Sequence, residues 1–183
     1  MTTRALSTKE RLIRSASDLF RKRGYSGVGV AEILVAAKAP KGSLYHHFPN
    51  GKSDLAMAAA TWAADGTLQL IAASFEDATS FRDGATTFCY KLAKLFDISG
   101  NWDGCPIQTV LSDGPDNTEF STALDRFYDG WIAEIAMYAE RFGAPPERAR
   151  EMAENFFMLF QGAWTLARAR RDSDVLRRVV IPD

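Results

Sequence analysis

The stretch Gly29–Ala56, GVAEILVAAKAPKGSLYHHFPNGKSDLA, decides the fold. From Val30 to Ala37 the apolar residues Ala31, Ile33, Leu34 and Ala37 fall on the inward side of a short helix. A three-residue turn follows. Pro40 then suits the first position of a second helix, to about His47, because its φ is already set and its missing donor would be unpaired there. Pro49-Asn50-Gly51 stops that helix, and Lys52 to Phe75 reads as one long alanine-rich helix. Two short helices across a tight turn are the parts of a helix-turn-helix.

Upstream, Ser7 and Glu10 form a capping box, and Leu12, Ile13, Ala16, Leu19 and Phe20 recur at helical spacing until Gly24, giving a bracing helix over about 8–23. Downstream, helices are expected over Phe81–Phe96, Pro106–Leu111, Phe120–Phe142 and Pro146–Arg171, with Gly/Asp/Asn-rich loops on either side of the short one. No segment alternates as a strand. The expectation is an all-α chain, with residues 1–51 a three-helix, helix-turn-helix DNA-binding domain. Residues 52–183 form a helical ligand-binding and dimerisation domain, and helix 52–75 links the two.

Charge divides along the same line. Residues 1–52 carry ten Lys/Arg against three acids, a balance of +7, whereas the remainder carries twelve against twenty, a balance of -8. A basic head on an acidic body points to a polyanion partner for the head, since phosphate neutralisation supplies most non-specific nucleic-acid affinity. An apolar fraction of 46% and a charged fraction of 25% are those of a globular chain. No apolar run reaches the roughly 18 residues of a membrane span, and the start MTTRALSTKE lacks a signal-peptide core, so a cytoplasmic location is expected. Cys89 and Cys105 are expected as reduced thiols.

The Gly29–Ala56 stretch, above all its Tyr-His-x-Phe ending at Tyr45–Phe48, closely resembles the signature of the TetR/AcrR family of transcriptional regulators. The Gly104-Cys105-Pro106 triplet, the acidic loop after it and the aromatic-rich last helices look like the C-terminal domain of the LmrA/YxaF branch. The resemblance implies a homodimeric repressor on a palindromic double-stranded operator, released when a small-molecule effector enters the larger domain. It also implies Tyr45 and His46 as contacts to DNA. Lys38 stands where the family has a glycine, Pro40 where it has a serine cap, and Val30 where it often has a threonine.

The residues themselves agree. Only small or long flexible side chains let the start of a helix enter a major groove; Lys41 can meet phosphate or a guanine edge, Gly42 lets the backbone come close, and Ser43 can donate to phosphate. Lys52 opens the long helix, where cation and backbone donors suit an anion. Leu44 and Phe48 are assigned to the core.

Seventeen of 21 aromatic residues follow residue 56, enough to wall an apolar or aromatic effector pocket. The expected lining is drawn from Phe88, Phe96, Trp102, Cys105, Gln108, Phe127, Trp131, Phe160, Gln161 and Trp164. The last long helix has a wide apolar face, which implies cover from two sides. Ala149, Ala153, Phe156, Ala163 and Ala167 are therefore expected at a two-fold four-helix dimer interface. His46 and His47 point about 100° apart on a helix and cannot share a metal, no cofactor is expected, and no nucleophile–base set or phosphate loop suggests an enzyme. The competing reading is a helical interaction or small-molecule-binding module without sequence-specific DNA binding, which tolerates neutralisation of the head.

Overall fold

The computed structural model describes residues 5–100, 103–112 and 118–182. Among them there are helices and no strands: α1 (Thr8–Arg23), α2 (Val30–Ala36), α3 (Lys41–His47), α4 (Lys52–Phe75), α5 (Phe81–Ser99), α6 (Pro106–Leu111), α7 (Thr118–Arg141), α8 (Pro146–Arg170) and α9 (Asp174–Arg177). The expected all-α class is the observed one. The contacts divide into two compact units, one running to Asp65 and taking in Asp103–Asp125, the other starting at Gly66 and resuming at Arg126. Helix α4 passes from the first unit into the second without a break.

In the first unit α1 starts where its capping box fixes it. The Ser7 N–H donates to the Glu10 carboxylate at 2.7 Å and the Glu10 N–H to Ser7 Oγ at 3.2 Å, so two otherwise orphaned donors are paired. Leu12, Ala16 and Phe20 from α1, Ile33 from α2, Leu44 from α3 and Leu55 from α4 are all fully buried, and together they make the core under the short helices. Each of the Leu, Ile and Phe side chains contributes roughly 1.5–3 kcal/mol by leaving water. Helix α6 packs on α1 in the same unit. Arg21 pairs with Asp103 at 3.2 Å, the Tyr25 N–H donates to the Thr109 carbonyl at 3.3 Å, and Phe120 meets the Tyr25 ring edge-on at 5.7 Å. The unit that holds the short helices therefore extends well beyond residue 51.

The second unit is built on aromatic packing. Phe75 stacks on Tyr138 at 4.6 Å, and Phe81, Phe88, Phe156 and Phe160 interlock edge-to-face at 5.0–6.2 Å. Gly84 is buried against Phe75, where a Cβ would stand 2.2 Å from the ring, so the close packing of α5 on Phe75 requires glycine there. Helix α5 runs three residues past the expected Phe96, to Ser99, where Gly100 at φ 61 closes it by donating to the Phe96 carbonyl.

Three expectations are corrected. Pro40 is the N-cap and not the first helical residue: its ψ of 152 is extended, and α3 begins at Lys41. Helix α9 went unforeseen, since four residues are too few to show a period. It packs on α5 and α8 with Leu176 fully buried, and thereby supplies from the chain itself part of the second cover that α8 was expected to take from a partner. Ala149, Ala153, Phe156 and Ala167 are 0–3% exposed inside one chain, and Ala163 is half-buried. Residues with no remaining surface cannot bury more against a second copy.

Candidate nucleic-acid interface

Helix α3 is positioned by the residues beneath it. With Leu44 fully buried and Phe48 4% exposed, the helical period turns Lys41, Gly42, Tyr45 and His46 outward, and all four are exposed. Ser43 and His47 are half-buried, and the Ser43 N–H donates to the Pro40 carbonyl at 3.0 Å to open the helix. The Tyr45 ring lies against Gly51, 3.3 Å from where a Cβ would stand, so the φ of 68 at Gly51 and the seat of the ring go together.

The turn into α3 is held from both ends. The Lys38 N–H donates to the Val35 carbonyl at 3.1 Å and the Ala39 N–H to the Leu34 carbonyl at 3.0 Å, the paired bonds of a Schellman motif, with Lys38 at φ 49. Arg11 then clamps this turn to α1: its Nε donates to the Ala37 carbonyl at 3.0 Å, while its other nitrogens donate to the Leu6 carbonyl at 3.1 Å and Thr8 Oγ1 at 3.2 Å. Arg23 pairs with Glu32, joining α1 to α2. In the sequence Arg11 is legible only as charge. Nothing in the local pattern announces a partner 26 residues away.

Gly42 has a different standing from Gly84. A Cβ at Gly42 would meet nothing within 4 Å, so the chain's own packing does not ask for glycine there.

Many cations of the head are already engaged. Arg11 is the clamp, Arg14 lies 5.7 Å over the Trp62 ring, Arg21 pairs with Asp18 and Asp103, and Arg23 pairs with Glu32. Lys52 is half-buried with its Nζ 4.1 Å over the Tyr25 ring, and partial desolvation lowers its pKa. Asp54 closes the first turn of α4, accepting from the Asn50 N–H at 2.8 Å and from Asn50 Nδ2 at 3.1 Å. Lys38 and Lys41, at either side of Pro40, are exposed and hold no acidic partner among the described residues.

Of the residues expected to line an effector pocket, the second unit holds seven. Phe88 and Phe160 lie 5.0 Å apart, Phe157 connects Phe160 at 5.3 Å to Trp131 at 6.4 Å, and Phe96 packs on Trp164 at 4.2 Å. Gln161 is half-buried, as is Phe127, whose ring lies 5.4 Å from the Arg126 guanidinium. The Trp164 Nε1 is buried and has no acceptor among the described residues. Cys105 and Gln108 belong to the first unit, the former buried at the N-cap of α6 and the latter exposed. Trp102 lies outside the described residues. Burial pushes the Cys89 thiol up to about 12.

The family model for bacterial regulatory proteins of the tetR family matches residues 12–59, which span α1 through the start of α4. The model for the C-terminal domain of LmrA/YxaF-like transcriptional regulators matches residues 82–180. This chain belongs to the TetR family. An HTH-type transcriptional regulator of Mycobacterium tuberculosis is 31% identical over 170 residues, covering 90% of this chain and 86% of the relative. The regulator YxaF of Bacillus subtilis is 29% identical over 177 residues, covering 96% and 92%. A TetR regulator of Legionella pneumophila has the same fold, with a TM-score of 0.81 at 24% identity over 97% of this chain and 95% of its own. As a TetR-family protein, the chain is a DNA-binding transcriptional regulator, with the helix-turn-helix in α2–α3. Among the described residues no helix is long and apolar enough to cross a membrane.

Proposed function

We propose that this TetR-family regulator is a homodimeric, cytoplasmic repressor that holds a palindromic operator with two copies of α3 and releases it when a small apolar or aromatic molecule enters the second unit. The observation that carries the DNA reading is the outward face of α3: Lys41, Gly42, Tyr45 and His46 are exposed on a helix whose opposite side is locked by Leu44 and Phe48. Lys41 and Tyr45 are one helical turn apart and reach phosphate and base edge, His46 adds a backbone contact, and Ser43 and Lys52 lie at the flanks of this face. Two such helices read successive major grooves about 34–36 Å apart.

The dimer face lies on the exposed side of α8 and on α7. Met158, Leu159 and Leu166 are 62%, 37% and 40% exposed, and Met137 on α7 is 50% exposed. Gly162 and Gly130 sit on the same two helices, both exposed, and a Cβ at either would meet nothing within 4 Å. Mid-helix glycine costs helix stability, and its use on apolar faces of two long helices suits close packing against a second copy.

For the effector, Phe88, Phe96, Phe160 and Trp164 with Gln161 are the favoured walls. A buried indole N–H without an acceptor costs roughly 1–3 kcal/mol, so an effector that accepts a hydrogen bond from Trp164 Nε1 is favoured over a pure hydrocarbon. Helix α4, continuous into the head, carries the response: a ligand that prefers one α4 arrangement by a few kcal/mol shifts operator occupancy. Anisotropy of a labelled promoter duplex tests the head directly. Lys41→Ala weakens binding and flattens its salt dependence while thermal unfolding stays unchanged; a variant that binds as well as the parent removes Lys41, and the α3 face with it, from the interface.

A further inference from the structure

Lys38 adopts a backbone conformation that disfavours every residue but glycine and, to a lesser degree, asparagine and aspartate. The strain cannot relax locally, because the Lys38 and Ala39 N–H groups are both bonded back into α2 and the Ala37 carbonyl is bonded to Arg11. Arg171, the other non-glycine residue at positive φ among the described residues, sits likewise just past a helix end. A cation there gains from the helix dipole. That gain explains a basic residue at either place without any ligand. Its place in the fold separates Lys38 from Arg171. It is exposed on the turn that leads straight into the exposed face of α3, three residues before Lys41. Like Lys9, Lys22 and Lys41, and unlike Arg11, Arg14, Arg21, Arg23 and Lys52, which the chain itself engages, it holds no acidic or aromatic partner among the described residues, which leaves its charge available.

Strain that the surroundings hold in place at a binding face marks a residue kept for its side chain. We infer that Lys38 is a phosphate-binding residue: the rigid left-handed turn presents its ammonium to the DNA backbone at the edge of the groove that α3 enters, next to the contact made by Lys41. This rests on the DNA reading above and adds to it a contact that sets register on the duplex without reading sequence.

One phosphate contact contributes about 0.9 to the slope of log affinity against log salt, which amounts to about fivefold at 0.15 M salt. With two heads on one operator, loss of both copies lowers the slope by about 1.8 and the affinity by about thirtyfold. The test is a salt series of operator binding by the full chain, using a duplex enriched by the parent protein from a random library. Lys38→Asn keeps the left-handed turn accessible and removes the charge, Lys38→Arg keeps the charge, and Lys38→Gly relieves the strain. Lys38→Asn and Lys38→Gly are expected to lower the slope and affinity by these amounts and Lys38→Arg to retain both, while Lys38→Gly unfolds at the parent Tm or above. If Lys38 serves only the end of α2, neutral variants change Tm and leave slope and affinity at parent values; that result overturns the inference and leaves the DNA reading standing. If the parent enriches no duplex, both fall together.

Discussion

Gly42→Ala separates what the fold wants from what the DNA face wants. A Cβ at this position meets nothing within 4 Å, so the substitution brings no clash inside the chain. Alanine in place of a helical glycine gains up to about 1 kcal/mol; because Gly42 is the second residue of α3, about half of that is the expected gain. For a chain of this size a gain of 0.5 kcal/mol corresponds to about 1–2 °C in Tm. On DNA the sign reverses. The added methyl group stands on the exposed side of α3, where the helix start comes closest to the groove, and lifting it off even one good contact costs about 1.4 kcal/mol per head, a tenfold loss. Differential scanning fluorimetry and operator anisotropy on the same preparation read both numbers. A variant that is slightly more stable and binds at least tenfold more weakly fits the reasoning. Unchanged operator affinity would refute it, because the backbone at Gly42 would then not approach DNA.

Two other variants test the remaining parts. Met158→Glu with Leu166→Glu places four carboxylates in the proposed dimer face; the prediction is a monomer by sedimentation velocity with helical content retained and operator binding lost, and a persistent dimer would move the interface elsewhere. Cys89, 1% exposed with its pKa pushed up to about 12 from 9.0, stays a thiol in the folded chain. The unfolded chain loses that proton first. The stabilisation is therefore fully present below pH 9 and declines as pH rises from 9 toward 12, by up to about 4 kcal/mol. Denaturant unfolding at stepped pH shows this as a difference between the parent and Cys89→Ala, and parallel pH profiles of the two would refute it. Iodoacetamide at pH 8 should accordingly label Cys89 no faster than the protein opens, and rapid labelling under native conditions contradicts the buried placement.

The head was legible because its signals are local. Ser7 and Glu10 lie within one turn, Gly24 and Pro49-Asn50-Gly51 stop helices by their own backbone chemistry, and the alternation of buried and exposed residues in KGSLYHHF follows one helical period. The turn at Lys38 was legible only through the family resemblance, which has a glycine at that place, and the structure keeps the left-handed conformation with lysine there. What sequence could not supply was long-range. Arg11 reaching the Ala37 carbonyl, Asp103 reaching Arg21 and α6 joining the head are pairings between segments whose separate patterns look ordinary. The width of the apolar face of α8 is legible in the sequence, whereas α9, which supplies part of its cover, is too short to show a period. The exposed line through Met158, Gly162 and Leu166 is weakly apolar and was overshadowed by the stronger alanine stripe beside it.

The most direct measurement of the central claim is selection of duplexes from a random double-stranded library by the purified full chain at 0.15 M salt, followed by sequencing. The account predicts an enriched inverted repeat with half-sites about one helical turn apart, bound more weakly as salt rises and far more weakly by Lys41→Ala. Enrichment of no sequence, or of one that binds Lys41→Ala as tightly as the parent, would contradict it.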